Sequence, residues 1–215
     1  MELDEHEQGE RVRKWIRQNG SSMITGIALG LALVFAWQWW QGKGARHKEE
    51  AAAQYYSFGD ALDARDAAKA KVFSALLAEK YSDTPFADLA VLRTAAFLQN
   101  TGKTAEAIKL LQSSIVRVKQ PDLAEMFALR LARLELFAGK PDQAASRLAS
   151  LAKPRYPAIA DELRGDIAVA KGKRDEARKA YQAALTTLDQ AAPTRNLIEL
   201  KLIDVGGQPP AKPEI

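Results

Sequence analysis

Cysteine is absent from the 215 residues, and histidine occurs only as His6 and His47. Without thiols there is no disulfide scaffold and no thiolate metal site. Neither histidine has a partner at ligand spacing, so no metal is expected. The glycine patterns of a P-loop or a dinucleotide-binding turn are missing. So is a basic stripe with interleaved aromatics, which argues against nucleic acid as a partner. Glu162 and Asp166 share one helical face, as many solvated i, i+4 pairs do, and no nucleophile or base accompanies them. These absences predict a protein that is not an enzyme and carries no cofactor.

Long apolar runs are also scarce, with one exception. Residues 21–40, SSMITGIALGLALVFAWQWW, contain no Asp, Glu, Lys or Arg. Twenty helical residues rise about 30 Å, the thickness of a bilayer's hydrocarbon core. All four tryptophans lie in or beside this run, Trp15 on one flank and Trp37, Trp39 and Trp40 on the other. Indole rings favour the headgroup level, so the four read as an interfacial anchor. A cleaved signal peptide needs a shorter apolar core and a small-residue cleavage site, and Ala36-Trp37-Gln38-Trp39-Trp40 offers none. An uncleaved transmembrane signal anchor fits better. Ser22, Gly26 and Gly30 recur every four residues and form a candidate packing face for another membrane helix.

Arg11, Arg13, Lys14 and Arg17 precede the run; Lys43, Arg46 and Lys48 follow it. That excess places the N-terminus in the cytoplasm and the long C-terminal segment across the membrane. The net charge of +4 divides unevenly, with four basic and five acidic groups in residues 1–40 and a net of +5 in the remainder. There the charges alternate in sign along solvated helix faces.

The rest of the chain is organised by a repeat. GKTAEAIKLL from Gly102, GKPDQAASRL from Gly139 and GKRDEARKAY from Gly172 align without gaps. The glycines stand 37 and 33 residues apart, and each is followed five residues later by Ala107, Ala144 or Ala177. Seven residues before each glycine stands another small residue, Ala95, Ala132 or Gly165. Glycine ends one helix in a left-handed conformation, and the small residues let two helices cross closely. Prolines 121, 154, 157 and 193 punctuate the joins, and Pro85 after Thr84 opens the first hairpin. The tripeptide Arg164-Gly165-Asp166 contains a packing glycine, so its structural reading is preferred to an adhesion motif.

This pattern resembles the tetratricopeptide repeat over residues 86–189, although the early Trp and Tyr of the first helix are missing and the second repeat has a short second helix. Residues 45–81 are expected to form a long helix and a second one packed on the first repeat. Residues 194–205, TRNLIELKLIDV, suit a capping helix. The predicted fold is all-α, a single transmembrane helix followed by a helical-hairpin solenoid. The expected divisions are a cytoplasmic tail at 1–20, the anchor at 21–40, a stalk and repeat domain at 41–205, and a flexible tail at 206–215. Arg93, Arg130 and Arg133 on the first helices are candidates for holding a partner on the concave face, and they equally suit solvated surfaces.

With Glu162-Leu163-Arg164-Gly165-Asp166, Ala170-Lys171-Gly172, Ala180-Tyr181 and Leu200-Lys201-Leu202 in this order after the anchor, the chain resembles the YfgM family. The resemblance implies an inner-membrane protein of Gram-negative bacteria with a periplasmic repeat domain. It further implies an ancillary subunit of the Sec translocon, working beside a membrane-anchored periplasmic chaperone. A structural scaffold for envelope assembly or cell division is the alternative that the residues leave open.

Overall fold

The computed structural model describes the backbone of residues 2–210 and the side chains of residues 13–39 and 43–210. The chain divides into two units, residues 1–50 and 51–215. The described residues form α-helices joined by turns and contain no strand, as the repeat pattern predicts. Of the expected features, the side chain of Trp40 and the last five residues of the tail lie outside the described residues.

The first unit belongs to helix α1, Glu2–Asp63. Its most apolar window has a mean hydropathy of 1.7, and none of that window is buried. Ile24, Leu33 and Phe35 are exposed, as are Trp15, Trp37 and Trp39. Leu, Ala and Met favour the helix, and the one threonine of the run hides its hydroxyl by donating from Thr25 Oγ1 to the Ser21 carbonyl at 2.8 Å. Such internal satisfaction is what hydrocarbon surroundings demand. Lys43 Nζ sits 3.7 Å from the centre of the Trp39 ring, pairing a cation with an aromatic face near the end of the apolar run. A methyl group at Gly26 or Gly30 would meet nothing within 4 Å, and Ser22 is exposed beside them.

The second unit stacks helical hairpins. The last turns of α1 pair with α2 (Ala67–Lys80). Then α3 (Pro85–Asn100) pairs with α4 (Thr104–Ile115), α5 (Pro121–Phe137) with α6 (Pro141–Ala149), and α7 (Pro157–Ala170) with α8 (Arg174–Thr187). Helix α9 (Arg195–Asp204) follows. Proline stands at the start of α3, α5, α6 and α7, where its missing N–H costs nothing.

Five helix ends close in the same way. Residues 65, 102, 139, 172 and 206 have φ between 57° and 80°, and all but Arg65 are glycine. In each case the next N–H reaches back five residues: Asp66 to Ala61, Lys103 to Leu98, Lys140 to Glu135, Lys173 to Ala168 and Gly207 to Leu202, at 2.8–2.9 Å. This is the Schellman closure. It brings a hairpin into the array that the sequence repeat did not reveal, because Arg65 occupies its turn. It also draws Gly206 and Gly207, assigned to the tail at 206–215, into the cap of α9.

Among the described residues the core is correspondingly segmented into four clusters. One joins Phe58, Leu62 and Leu77 with Ala90 of α3, and the next joins Ala95, Ala107 and Leu111 with Phe127 and Leu131 of α5. A third joins Ala132, Ala144 and Leu148 with Leu163 of α7, and the last joins Ala177 and Tyr181 with Ile198 and Leu202 of α9. Each hairpin therefore buries its apolar face only when the next first helix covers it, the condition for a solenoid. Buried carboxylates reinforce the joins. Glu125 of α5 accepts the backbone N–H groups of Arg155 and Tyr156, both at 2.9 Å, and so caps α7 from the preceding repeat. Within its own hairpin, Glu135 is held by two hydrogen bonds from Arg147 of α6, at 3.0 and 2.6 Å.

The small-residue position is matched to its neighbour. Ala95, Ala132 and Gly165 are equivalent, and the residues nine after each turn glycine's own position are Leu111, Leu148 and Tyr181. A Cβ on Gly165 would stand 2.3 Å from the Tyr181 ring, so the larger ring requires the smaller partner. Gly165→Ala is expected to cost about 1–3 kcal/mol by overpacking. Adding Tyr181→Leu, which recreates the pairing of the two earlier repeats, should recover part of that loss in a denaturant titration. Arg65→Gly, by relieving a left-handed turn, should stabilise the second unit by about 1 kcal/mol in the same measurement.

Candidate functional site

The first helices expose one face each along a common groove. On α3 that face carries Leu89, Leu92, Arg93 and Ala96; on α5 it carries Met126, Leu129, Arg130 and Arg133. Both sets follow the i, i+3, i+4, i+7 spacing of a single helix face. Ala158, Ile159 and Glu162 continue the surface on α7, with Tyr55 and Ile198 also lining it. The groove has a volume of about 590 Å³ and is mostly apolar.

The repeat register orders these residues into columns. Thirteen residues before each turn glycine stand Leu89, Met126 and Ile159, an apolar row across three helices. Met126 and Ile159 remain 38% and 44% exposed, although similar residues elsewhere in the repeats are buried. That regularity was available in the sequence, once the turn glycines were used to number each repeat. Tyr55 and Tyr156 had no such signal, since Tyr55 precedes the Arg65 turn, outside the glycine register, and Tyr156 lies at an interrepeat join.

All three arginines singled out from the sequence line this groove, in different electrostatic situations. Arg93 Nη2 donates to both carboxylate oxygens of Asp63 at 2.9 and 3.1 Å, its guanidinium lying against Gly59. Arg133 Nη2 donates to Glu162 Oε2 at 3.0 Å. Arg130 instead donates from Nη2 to the neutral Gln99 Oε1 at 2.9 Å, and its buried Nε–H has no acceptor. Burial, and then the neighbouring charge of Arg133, lower its pKa.

Glu162 begins a chain of contacts that ties three elements together. Its other oxygen accepts from Lys201 Nζ of α9 at 2.7 Å, and the same ammonium reaches Asp166 Oδ2 at 2.8 Å. Asp166 Oδ1 in turn accepts from the Tyr181 hydroxyl of α8 at 2.7 Å. Burial pushes the Glu162 pKa up, but the hydrogen bond from Lys201 and the charges of Arg133 and Lys201 outweigh it, leaving a net lowering. Burial and the bond to Asp166 raise the Tyr181 pKa, so the hydroxyl stays a donor. The i, i+4 carboxylates of α7 are thus a clamp for the capping helix. Sequence spacing placed them on one face, but Lys201 lies in a different element and its role could not be read from that spacing. Among the described residues no group of three or more acidic or histidine side chains gathers to hold a metal.

The remaining residues named from the sequence lie elsewhere. Ala95, Ala107, Ala132, Ala144 and Ala177 are fully buried in the segmented core. Gly102, Gly139 and Gly172 form the turns, while Ser22, Gly26, Gly30 and the tryptophans belong to the first unit.

A family model described as a tetratricopeptide repeat-like domain matches residues 13–207. The chain belongs to that family. It is similar to proteins named ancillary SecYEG translocon subunit from three bacteria. The relative from Haemophilus influenzae is 26% identical over 182 residues, covering 85% of this chain and 89% of the relative. That from Escherichia coli is 24% identical over 202 residues, covering 93% and 95%. A third, from Aggregatibacter actinomycetemcomitans, is 25% identical over 203 residues, covering 94% and 96%. These near end-to-end likenesses bear out the resemblance to the YfgM family.

The clamp around Glu162 generates a pH dependence. A carboxylate whose folded pKa is lowered stabilises the fold above its unfolded value and loses that contribution as pH falls through the folded one. Lys201→Met is expected to cost about 1.5–3 kcal/mol at neutral pH, the range for a hydrogen bond to a charged group. The gap from wild type should close as pH drops below the ordinary glutamate value of 4.5. Denaturant titrations of both proteins across that acid range measure it.

Proposed function

We propose that this protein is a tethered protein-binding module of the bacterial inner membrane, an ancillary subunit of the Sec translocon that links it to a membrane-anchored periplasmic chaperone. Residues 21–40 cross the membrane once, the N-terminal tail of residues 1–20 lies in the cytoplasm, and the repeat domain of residues 41–205 lies in the periplasm. The observation that carries this reading is the apolar groove with its row Leu89, Met126 and Ile159, in a chain that also holds one helix apolar and long enough to span a bilayer. Likeness to ancillary SecYEG translocon subunits over most of the chain supports the choice of partner.

The physical logic is one of concentration. A single span holds the groove within reach of a membrane complex, which raises its effective concentration without any additional contact. The groove then needs only modest affinity for a partner segment. Ser22, Gly26 and Gly30 offer a close-packing face to a neighbouring membrane helix, and Trp15, Trp37, Trp39 and Trp40 fix the depth of the span. The repeat domain works through binding alone, without metal, cofactor or nucleic acid.

Solubilising membranes in mild detergent and purifying the tagged full-length chain tests the reading. Translocon subunits and a membrane-anchored periplasmic chaperone should copurify; recovery of neither overturns it. Protease added to spheroplasts should remove the repeat domain, and protection of that domain would reverse the orientation.

A further inference from the structure

A census of counter-ions in the groove separates its cations. Arg93 is neutralised by Asp63 and Arg133 by Glu162, each at hydrogen-bond distance. Arg130, between them in chain order on α5, has no carboxylate partner among the described residues; its contact is the neutral side chain of Gln99. Its Nε–H is buried without an acceptor. A guanidinium does not shed its charge in a protein, so burial cannot be relieved by deprotonation. Half-burying such a charge without a counter-ion is unfavourable until an anion reaches the part of the guanidinium that faces the groove. The apolar surface continues on both sides of Arg130, with Leu92 and Ala96 on α3 and Ile159 on α7. A ligand that fills it therefore extends in both directions from the guanidinium.

We propose that the groove recognises an internal acidic residue of a partner polypeptide flanked by apolar side chains, with Arg130 as the group that binds its carboxylate. This inference rests on the reading of the groove as the protein-binding surface. The flanking residues lie against the row Leu89, Met126 and Ile159. The carboxylate takes the uncompensated charge and the fork geometry that Arg93 and Arg133 have already committed to partners within the chain. Selectivity against basic segments follows from the same charge, and affinity falls with added salt.

The test uses the full-length chain in detergent micelles and fluorescent peptides with Leu and Ala flanks. The central residue is Glu, Gln or Lys, and the C-terminus is either amidated or free. The wild type should bind the Glu peptide about tenfold more tightly than the Gln peptide, which is the worth of one good charged hydrogen bond, and the Lys peptide least. Arg130→Gln should abolish that preference, and Arg130→Lys should keep part of it. Lys109→Gln, on the exposed side of α4, should leave it unchanged. Binding of no peptide by the wild type overturns the groove reading together with the carboxylate step. Equal binding of the Glu and Gln peptides, or a preference that survives Arg130→Gln, overturns the carboxylate step alone. A preference that follows the free C-terminus and not the central Glu overturns the internal-residue assignment. If Arg130→Gln does not fold, the wild-type comparison of Glu, Gln and Lys peptides decides.

Discussion

The concave surface depends on one repeated constraint, the reversal of the chain through a left-handed residue at the end of each first helix. Five such closures, at Arg65, Gly102, Gly139, Gly172 and Gly206, share the same backbone hydrogen bond across five residues. The first four return the chain so that a second helix covers one side of its partner, and the fifth ends α9. What remains uncovered on the first helices is the face that points into the groove. The columns across α3, α5 and α7 are therefore a direct product of turn register. Without that register, Leu89, Met126 and Ile159 would not align.

Packing between hairpins converts the local reversal into a surface. The four apolar clusters are each completed by the first helix of the following hairpin, so no repeat is stable alone and all must be in register. The polar contacts act at the same joins. Glu125 caps α7 from α5, and Lys201 reaches from α9 to two carboxylates of α7. Buried charges of this kind specify spacing more than they add stability, because desolvation offsets much of the attraction. The groove is consequently held on rigid elements, and its polar groups are largely committed in advance. Arg130 is the exception.

Much of this architecture was legible because it repeats. Three glycines with alanines five residues later fix a hairpin period without any knowledge of the fold. Two helices were expected over residues 45–81, but their kinship with the repeats was illegible, since nothing in Arg65 announces a left-handed turn, and Phe58 stands where the other repeats have a small residue. Gly206 and Gly207 were assigned to the tail because residues 206–215 have no apolar periodicity, although their own role is to end α9. The arginines on the first helices could be named from the sequence, yet the quality that distinguishes them could not. Whether an arginine is neutralised depends on Asp63, Gln99 and Glu162, which lie about 30 residues away and meet it only through stacking.

If the groove of the first helices is the binding surface, it meets the partner while the chain is in its membrane. A photo-crosslinking amino acid placed at Met126, inside the groove, and at Val116, an exposed residue outside it, tests this directly in intact cells. Irradiation is expected to join the Met126 position to a translocon subunit or a periplasmic chaperone and to leave the Val116 position free. Equal labelling from both positions, or labelling from Val116 alone, would contradict it.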